Sequence, residues 1–371
     1  MTNFHSIQSA LTHATALIKS QHNDAETAEI AKPEAQLLLQ HVLNVNRAWL
    51  IAHQNDALQP NIHEAYRAML ERRLNGEPIA YILGYREFYG LILKVTPDTL
   101  IPRPDTETLV EAALARIPLM VRQAHHERNL SAPVRPELVE GQQKDSSSSP
   151  SFSRKWESML NLNQKMDSRL RENDEVENKK FEEKPYVALK SLDSDFRRND
   201  NLSILDLGTG AGAIALAIAK HRPQANITAL DASQAALDIA IENAQHLTIA
   251  NVKFLLSDWF SALNPQDNAQ KFDVIVSNPP YIEADDAHLK QGDLRFEPIS
   301  ALASGADGLD DIRNIISQAP NHLNPHGFLL LEHGYNQAEA VADLLKKAGF
   351  SEVETVKDFG GNDRVTLGKI A

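Results

Sequence analysis

Hydrophobic residues recur at helical spacing through the first 75 residues of the chain. One apolar face comprises Ile7, Leu11, Ala14 and Ile18. Pro33 stands where a proline often begins a helix, and the spacing continues behind it at Ala35, Leu38, Leu39, Val42 and Leu43. A further face, Ile62, Tyr66, Met69 and Leu70, ends before the helix breaker Asn75-Gly76. The pattern predicts an N-terminal helical bundle within residues 1–85.

Two short strands are predicted next, on either side of Gly90 in residues 86–100. The segment Ile101-Pro-Arg-Pro-Asp-Thr-Glu107 follows and leads into an apolar helical stretch at 109–117. Thr106 or Asp105 is placed to cap that helix with a side-chain oxygen. Residues 86–119 are therefore expected to form a hairpin linker and the first helix of the following domain.

From residue 203 onward, short apolar runs alternate with stretches of helical periodicity. The predicted strands cover residues 204–207, 227–230, 252–256, 272–277 and 328–331. The predicted helices cover residues 213–220, 234–244, 310–319 and 338–348. Such alternation is typical of an α/β domain with a mostly parallel sheet covered by helices on both faces. A last pair of strands, 352–356 and 364–367, is expected to form an antiparallel hairpin around Gly360-Gly361.

The stretch between these two regions has a different composition. Residues 121–200 contain 15 basic and 15 acidic side chains but a single glycine, Gly141. The net charge of −13 therefore belongs entirely to the rest of the chain. Because this stretch lacks apolar periodicity, it cannot bury enough apolar surface to offset its chain entropy. We expect a disordered insertion over residues 120–200; a small charged helical subdomain is the alternative.

Composition limits the function classes that the chain can serve. The 371 residues include no cysteine, which excludes disulfides, thiolate metal sites and cysteine nucleophiles. The longest apolar runs are about seven residues, whereas a membrane span needs about twenty. The histidines show no ligand spacing, and no metal site is expected. The chain has 50 acidic and 37 basic residues, and this acidic excess argues against a nucleic-acid binder. A soluble, cytoplasmic protein is expected.

A glycine-rich turn, Gly208-Thr209-Gly210-Ala211-Gly212, joins a predicted strand to a predicted helix; we call it the glycine loop. Its glycines allow a sharp turn and the close approach of a ligand. Asp231 ends the following strand, where a carboxylate accepts hydrogen bonds from ribose hydroxyls. The spacing fits a dinucleotide as well as it fits an adenosylmethionine.

Three further residues favour adenosylmethionine. Asp206 lies just before the glycine loop, within reach of the amino-acid part of that cofactor. Asp258 and Trp259 follow the third strand of the domain. Their carboxylate and indole suit the exocyclic amine and the ring of an adenine, although a core tryptophan is the competing interpretation.

The sequence Asn278-Pro279-Pro280-Tyr281, here the Asn-Pro-Pro-Tyr segment, follows an apolar strand. The two prolines end the strand and stiffen the turn. The Asn278 side-chain oxygen and the Pro279 carbonyl together offer two acceptors for the two protons of a planar –NH₂ group, and Tyr281 offers a flat face. These groups suit a nitrogen nucleophile whose lone pair is delocalised, because they stabilise the positive charge that develops during attack on a methyl sulfonium.

In these motifs the chain resembles the release-factor glutamine methyltransferases. Besides the glycine loop, the Asn-Pro-Pro-Tyr segment and Ile101-Pro-Arg-Pro-Asp-Thr-Glu107, the resemblance rests on Gly76-Glu-Pro-Ile-Ala-Tyr81, Arg86-Glu-Phe88, Phe296-Glu-Pro298, Ala301-Leu-Ala-Ser-Gly305 and Leu331-Glu-His-Gly334. It covers nearly everything except residues 120–200. The Asn-Pro-Pro-Tyr segment alone is shared with enzymes that methylate amino groups of DNA and RNA, so it indicates only the reaction.

The resemblance implies a Rossmann-like class I methyltransferase domain over residues 201–371, with a mostly parallel seven-stranded sheet whose last strand is antiparallel. It implies S-adenosylmethionine as cofactor and N5-methylation of the glutamine in the Gly-Gly-Gln motif of peptide chain release factors. The glycine loop, Asp231, Trp259 and Asn278 would contact the cofactor. The Asn-Pro-Pro-Tyr segment would hold the glutamine amide, with Asn278, Pro279 and Tyr281 as catalytic residues. Arg103 would lie near the methionine end of the cofactor and the substrate.

Within the same resemblance, the helical domain would dock the release factor, and we expect a monomer without nucleic-acid or membrane partners. Residues 120–200 depart from the family, which joins the flanking elements with a short linker. Part of this stretch resembles translated dispersed DNA repeats, which suggests an insertion into the reading frame.

Four other functions compete with this interpretation. The enzyme could methylate a glutamine of a ribosomal protein instead, or an adenine of DNA or RNA; a DNA enzyme should carry a basic recognition region. An NAD-dependent dehydrogenase fits the glycine loop but leaves the Asn-Pro-Pro-Tyr segment unexplained. A non-catalytic adenosylmethionine-binding protein fits if the insertion disables the site.

Overall fold

The computed structural model describes residues 6–21, 25–117, 202–267 and 270–371. The predicted charged insertion at 120–200 lies outside the described residues. The helices of the N-terminal part are α1 (Ile7–Ser20), α2 (Ala25–Leu43), α3 (Arg47–Ala52), α4 (Pro60–Leu74) and α5 (Ile79–Leu83). Their apolar faces form one core, in which Leu38, Leu39, Leu50 and Tyr66 are fully buried. The predicted helical bundle is therefore confirmed.

The start of α2 differs from the sequence prediction. Pro33 lies inside the helix instead of at its first position, because the helix begins at Ala25. A proline within a helix removes one backbone hydrogen bond and costs about 3 kcal/mol. Ala31, Ala35 and Leu38 are nevertheless buried on one face across the proline. Burial of this continuous apolar face outweighs the local penalty, since tertiary packing supplies most helix stability in proteins.

A short antiparallel hairpin, β1 (Tyr85–Phe88) and β2 (Leu91–Lys94), follows the bundle as predicted. A single 3₁₀ turn, Pro104–Thr106, then leads into α6 (Glu107–Arg116). The predicted side-chain cap of α6 is wrong. Thr106 occupies the cap position with helical backbone angles, and its hydroxyl makes no capping bond because it faces Asn278 instead.

The remaining elements form a seven-stranded sheet flanked by helices. The strands are β3 (Ser203–Leu207), β4 (Asn226–Asp231), β5 (Val252–Leu256), β6 (Phe272–Ser277), β7 (Leu323–Glu332), β8 (Ser351–Lys357) and β9 (Asp363–Lys369). The helices are α7 (Ala213–His221), α8 (Gln234–His246), α9 (Asp310–Gln318) and α10 (Ala338–Lys347). The strand order is β5-β4-β3-β6-β7-β9-β8, and β9 alone runs antiparallel to its two neighbours. This topology confirms the predicted α/β class I methyltransferase fold.

Alternate residues of the central strands face opposite layers of helices. Val274 and Val276 of β6 pack into a core with α6 and α7, whereas Ile275 between them packs into a second core with α9 and α10. All six residues of β6 are buried, which explains the continuous apolar run Val274–Val276 at its centre. In the part of the chain that the structure describes, no helix is both long and apolar enough to cross a membrane.

Candidate functional site

The glycine loop and the Asn-Pro-Pro-Tyr segment leave the sheet side by side. Leu207, the last residue of β3, pairs with Ser277, the last residue of β6, and the Ser277 hydroxyl donates to the Leu207 carbonyl at 2.7 Å. From β3 the chain proceeds outward to β4 and β5, and it returns to the other side of β3 as β6. Open α/β sheets bind ligands at this kind of switch point, beyond the carboxyl ends of the strands.

The glycine loop is anchored to β4 and packed against α7 and α8. The backbone N–H groups of Gly208 and Thr209 both donate to the Leu230 carbonyl, at 2.9 and 2.8 Å. Gly212 has a φ of +85°, and a Cβ there would lie 3.0 Å from a Leu216 methyl and 3.2 Å from Ala240 Cβ. Gly210 has a φ of +55° and open space where a Cβ would project. The loop is thus held at Gly208, Thr209 and Gly212, while its middle at Gly210 faces open space.

Asp231 connects the end of β4 to the glycine loop. Its carboxylate accepts the backbone N–H of Gly210 through one oxygen and that of Ser233 through the other, both at 2.8 Å. Burial raises the pKa of Asp231, and these backbone hydrogen bonds oppose the rise. Each carboxylate oxygen retains a second lone pair. The half-buried Asp231 side chain can therefore accept hydroxyl donors from a bound ribose.

Asp206 lies beneath the glycine loop and is completely buried. One carboxyl oxygen accepts the Thr209 hydroxyl at 2.7 Å and the Ala215 backbone N–H at 3.2 Å. The other, Oδ1, is buried without a hydrogen-bond partner in the described residues. Burial raises the pKa of Asp206 to about 7. These contacts indicate that Asp206 holds the loop to the start of α7; a contact with the amino-acid part of a cofactor stays a prediction.

The indole of Trp259 packs against the glycine loop. The ring approaches to 3.6 Å from the position that a Cβ on Gly208 would occupy. Trp259 has a φ of +46°, an unfavourable backbone angle for a bulky residue. Two hydrogen bonds hold it there, from the Ser257 hydroxyl to the Trp259 carbonyl at 2.7 Å and from the indole N–H to Asp311 at 3.1 Å. Asp258, beside it, is exposed. Strain maintained in this way is common where a side chain must be aimed at a ligand.

The side chain of Asn278 is oriented by a residue at the start of α6. Its amide nitrogen Nδ2 donates to the hydroxyl oxygen of Thr106 at 3.2 Å. Asn278 is half-buried, whereas Thr106 is buried at the amino end of α6. With Nδ2 engaged in this way, the amide oxygen Oδ1 occupies the other position and is presented as an acceptor.

The rest of the Asn-Pro-Pro-Tyr segment is fixed through its backbone. Pro279 is buried and Pro280 half-buried. The N–H groups of Tyr281 and Ile282 both donate to the Leu302 carbonyl, at 3.2 and 2.9 Å. The Gln337 side chain donates to the Tyr281 carbonyl at 3.0 Å. The sequence predicted a rigid segment from the two prolines alone. The structure adds these hydrogen bonds, which fix the segment further.

A buried glutamate at the end of β7 joins the two ends of this segment. The Tyr281 hydroxyl donates to Glu332 Oε1 at 3.3 Å. Thr106, which accepts from Asn278, is also a neighbour of Glu332, and its hydroxyl lowers the pKa of that carboxylate. Burial raises the pKa of Glu332 to about 7, while the Thr106 hydroxyl and the positive charge of Arg364 oppose that rise. Burial likewise raises the pKa of Tyr281, so the phenol stays protonated and acts as a donor.

Arg103 forms an ion pair with Glu297, whose side chain is fully buried. Glu297 also accepts the backbone N–H of Ile101 at 2.9 Å. This carboxylate therefore ties the Ile-Pro-Arg-Pro segment to the chain that follows the Asn-Pro-Pro-Tyr segment. The electrostatic influence of Arg103 reaches Tyr281, where it favours the ionised phenol. Arg103 therefore lies near the candidate site, and its contact with the substrate stays a prediction.

The sequence assigned no role in this site to three residues that shape it, Asn243, Glu297 and Glu332, and it predicted for Thr106 only a helix cap. Asn243 in α8 is fully buried and donates to the carbonyls of Ala211 and Lys94, at 2.9 and 3.0 Å. Polar residues inside apolar helical or strand patterns were the available signal for Asn243 and Glu332. Their partners lie far away in the chain, so the spacing alone did not identify a function.

The residues at this switch point fit an adenosyl cofactor. The open backbone at Gly210, the half-buried Asp231 carboxylate and the indole of Trp259 lie around one loop. They supply a close backbone approach, ribose acceptors and a flat apolar face. The Asn-Pro-Pro-Tyr segment begins beside them on the neighbouring strand.

Two protein-family models match the chain. The methyltransferase domain matches residues 198–361, and the PrmC N-terminal domain matches residues 9–84. The first range contains the glycine loop, Asp231, Trp259 and the Asn-Pro-Pro-Tyr segment, and the second contains nearly all of the helical bundle. Arg103 and Thr106 lie between the two ranges.

Curated relatives match over nearly the whole chain. The release factor glutamine methyltransferase of Salmonella typhimurium is 39% identical, over 94% of this chain and 95% of its own. That of Escherichia coli is 40% identical, over 93% and 94%. That of Pseudomonas aeruginosa is 38% identical, over 97% and 99%. The fold, the geometry of the candidate site and these matches lead to one assignment: the chain belongs to the release factor glutamine methyltransferase family.

Proposed function

We propose that this protein transfers a methyl group from S-adenosylmethionine to the side-chain amide nitrogen of the glutamine in the Gly-Gly-Gln motif of peptide chain release factors. One observation carries the proposal: the glycine loop and the Asn-Pro-Pro-Tyr segment emerge from the paired residues Leu207 and Ser277. A cofactor held by the first is thereby adjacent to an amide held by the second. Family membership supplies the identity of the protein substrate.

The cofactor would be held by the glycine loop and the carboxyl ends of three strands. The backbone of Gly208, Thr209, Gly210, Ala211 and Gly212 would surround it. Asp231 would accept the ribose hydroxyls, Trp259 and Asp258 would contact the adenine, and Asp206 would support the loop from below. When bound, S-adenosylmethionine supplies a methyl group on a positively charged sulfur, which is the electrophile of the reaction.

Asn278 and Pro279 would hold the nucleophile. Asn278 Oδ1 and the Pro279 carbonyl would accept the two N–H bonds of the glutamine amide, and Tyr281 would pack against its plane. Formation of the N–CH₃ bond, with the methyl–sulfur bond breaking and its electron pair staying on sulfur, would put positive charge on nitrogen, and the two acceptors would stabilise that charge. The substituted nitrogen would then release one proton to solvent water to give the neutral methylamide. Alignment of the amide with the methyl–sulfur bond would lower the barrier further.

The helical bundle would provide the docking surface for the release factor, in the cytoplasm where translation ends. We assign residues 1–85 to this docking domain, 86–119 to the hairpin and the first helix, and 201–371 to the methyltransferase domain. The bundle contains six basic and seven acidic residues within residues 1–75, so its charge suits a protein partner better than a phosphate backbone. The substrate would approach a monomeric enzyme.

A substrate panel tests the proposed function. The purified protein is incubated with isotopically labelled S-adenosylmethionine and, separately, with unmodified release factor, a release factor whose motif glutamine is replaced by alanine, ribosomal proteins, and duplex DNA. We expect label on the unmodified release factor only. Equal labelling of the alanine variant would remove the glutamine from the mechanism, and label on DNA or ribosomal protein alone would contradict the substrate.

A further inference from the structure

The amide of Asn278 has two orientations of nearly identical shape, which exchange its oxygen and its nitrogen. Only the orientation with Oδ1 toward the substrate can accept an N–H bond from a glutamine amide. In the reversed orientation, the –NH₂ group of Asn278 would face the –NH₂ group of the glutamine. Two donors would then meet, and the nucleophile would be repelled. The proposed reaction therefore depends on a group that distinguishes the two ends of the Asn278 side chain.

Thr106 has the chemistry and the position to make this distinction. Its hydroxyl oxygen accepts Asn278 Nδ2 at 3.2 Å. A hydroxyl also has one proton to donate, and it could satisfy either orientation of the amide if that proton were free to turn. Because the hydroxyl oxygen accepts from Asn278, its own proton points away from that amide. The hydroxyl lowers the pKa of the neighbouring, buried Glu332 carboxylate, which is the effect of a hydroxyl that donates to it. With its proton so directed, Thr106 presents only an acceptor to Asn278.

Glu332 fixes the direction of the whole arrangement. An ionised carboxylate is an acceptor only, so Thr106 and Tyr281 must both donate to it. The Tyr281 hydroxyl does so at 3.3 Å, and Glu332 is completely buried, away from competing water. Arg364 supplies nearby positive charge that favours the ionised form, and Asp105 opposes it. One carboxylate from β7 thereby constrains both ends of the Asn-Pro-Pro-Tyr segment.

We propose that Thr106 and Glu332 are positioning residues that select the catalytic orientation of the Asn278 amide through a directed hydrogen-bond chain. The chain runs from Asn278 to the Thr106 hydroxyl and from there to the Glu332 carboxylate. It rests on the proposed function, since it concerns the group that holds the substrate amide. Thr106 lies at the start of α6, before the 120–200 stretch, whereas Asn278 and Glu332 lie after it.

The test removes the Thr106 hydroxyl while it keeps the shape of the side chain. Thr106→Val removes donor and acceptor together, whereas Thr106→Ser keeps both. Thr108→Val is the matched control, because Thr108 is also buried in α6 and lies two residues further along. We expect Thr106→Val to lower kcat by roughly 10- to 100-fold, with KM for release factor and the Kd for S-adenosylmethionine each within about threefold. Thr106→Ser should retain at least about a third of kcat, and Thr108→Val should match the wild type.

A second readout needs no methyl transfer. The side-chain –NH₂ signals of Asn278, assigned from their loss in Asn278→Asp, are followed by ¹⁵N NMR. In the wild type we expect a hydrogen-bonded pair protected from exchange, and in Thr106→Val a shifted pair with faster exchange. Wild-type kcat in Thr106→Val, equal losses in the Val and Ser variants, or unchanged Asn278 signals would each overturn the positioning role. An NMR response in a protein that methylates no release factor would instead refute the proposed function alone.

Discussion

The proposed reaction depends on a small number of oriented polar atoms, of which Asn278 Oδ1 is the most important. Replacing Asn278 by alanine removes the acceptor that faces the substrate but leaves the glycine loop and Asp231 in place. We expect Asn278→Ala to abolish turnover while the Kd for S-adenosylmethionine stays within about tenfold of the wild type. Single-turnover methyl transfer and calorimetric titration measure the two quantities. Asn321→Ala, at an exposed asparagine before β7, is the control and should behave as wild type; near-normal turnover by Asn278→Ala would refute the assigned role.

The raised pKa of Glu332 predicts a pH dependence of activity. Its carboxylate must be ionised to accept from Thr106 and Tyr281, and burial raises its pKa to about 7. Activity should therefore fall as the pH is lowered through about 7. Asp206, whose pKa burial also raises to about 7, could cause a similar fall. Glu332→Gln, which cannot titrate, should have a lower kcat and lack the acidic limb attributable to Glu332. An unchanged acidic limb in this variant would contradict the assignment.

The same shift predicts an effect on stability. The pKa of Glu332 rises from 4.5 in the unfolded chain to about 7 in the fold, so the folded state binds the additional proton. Stability contributed by the protonated form is then lost as the pH rises from about 4.5 to about 7, by about 3 kcal/mol in total. Glu332→Gln should accordingly gain stability relative to the wild type as the pH rises through this range. Denaturant unfolding at both ends of the range measures the difference, and a constant difference would contradict it.

The sequence predicted those site residues that belong to short motifs of consecutive residues. The Asn-Pro-Pro-Tyr segment and the glycine loop are local motifs, and each has the position that its spacing indicated. Thr106 was expected to cap α6, because a threonine before an apolar helical stretch is typical of a cap. The structure shows its hydroxyl bonded to Asn278, 172 positions away. A contact of that length leaves no trace in local spacing.

Among the elements, the turn between β3 and α7 sets the strictest limits on side-chain size and backbone angle. Gly212 has a φ of +85° and close contacts to Leu216 and Ala240. Gly349, after α10, has a φ of +89° but open space where a Cβ would project. Both substitutions to alanine should cost about 1–2 kcal/mol for the left-handed backbone. Gly212→Ala should in addition displace the loop and weaken S-adenosylmethionine binding by at least about tenfold, whereas Gly349→Ala should not.

Thermal unfolding and cofactor titration of the two glycine variants separate these effects. Equal cofactor affinity in both variants would show that the packing of Gly212 against α7 and α8 does not shape the loop.

Periodicity predicted most elements, since the helices and strands of an amphipathic fold carry their burial pattern in sequence. It misplaced the start of α2, because Pro33 suggested a beginning where packing of Ala31 and Ala35 extends the helix through it.

In the whole molecule, charge is distributed unevenly along the chain. The 15 basic and 15 acidic residues of 121–200 cancel, so the acidic excess belongs to the parts that form the bundle and the sheet. The candidate site is built without that stretch, since Asn278, Thr106, Glu332 and the glycine loop all lie outside it. We predict that replacing residues 120–200 by a short Gly-Ser linker leaves kcat and KM for release factor within about threefold. A large loss of activity in a variant that still binds S-adenosylmethionine would contradict its dispensability.

We propose that the carboxyl ends of β3 and β6 bring a methyl donor next to a glutamine amide of a release factor. The most direct measurement is mass spectrometric mapping of unmodified release factor after incubation with the wild-type protein and S-adenosylmethionine. We expect a single added methyl group on the glutamine of the Gly-Gly-Gln motif, absent when Asn278→Ala replaces the wild type. Methylation of another residue, or no methylation of the release factor by a protein that binds S-adenosylmethionine, would contradict it.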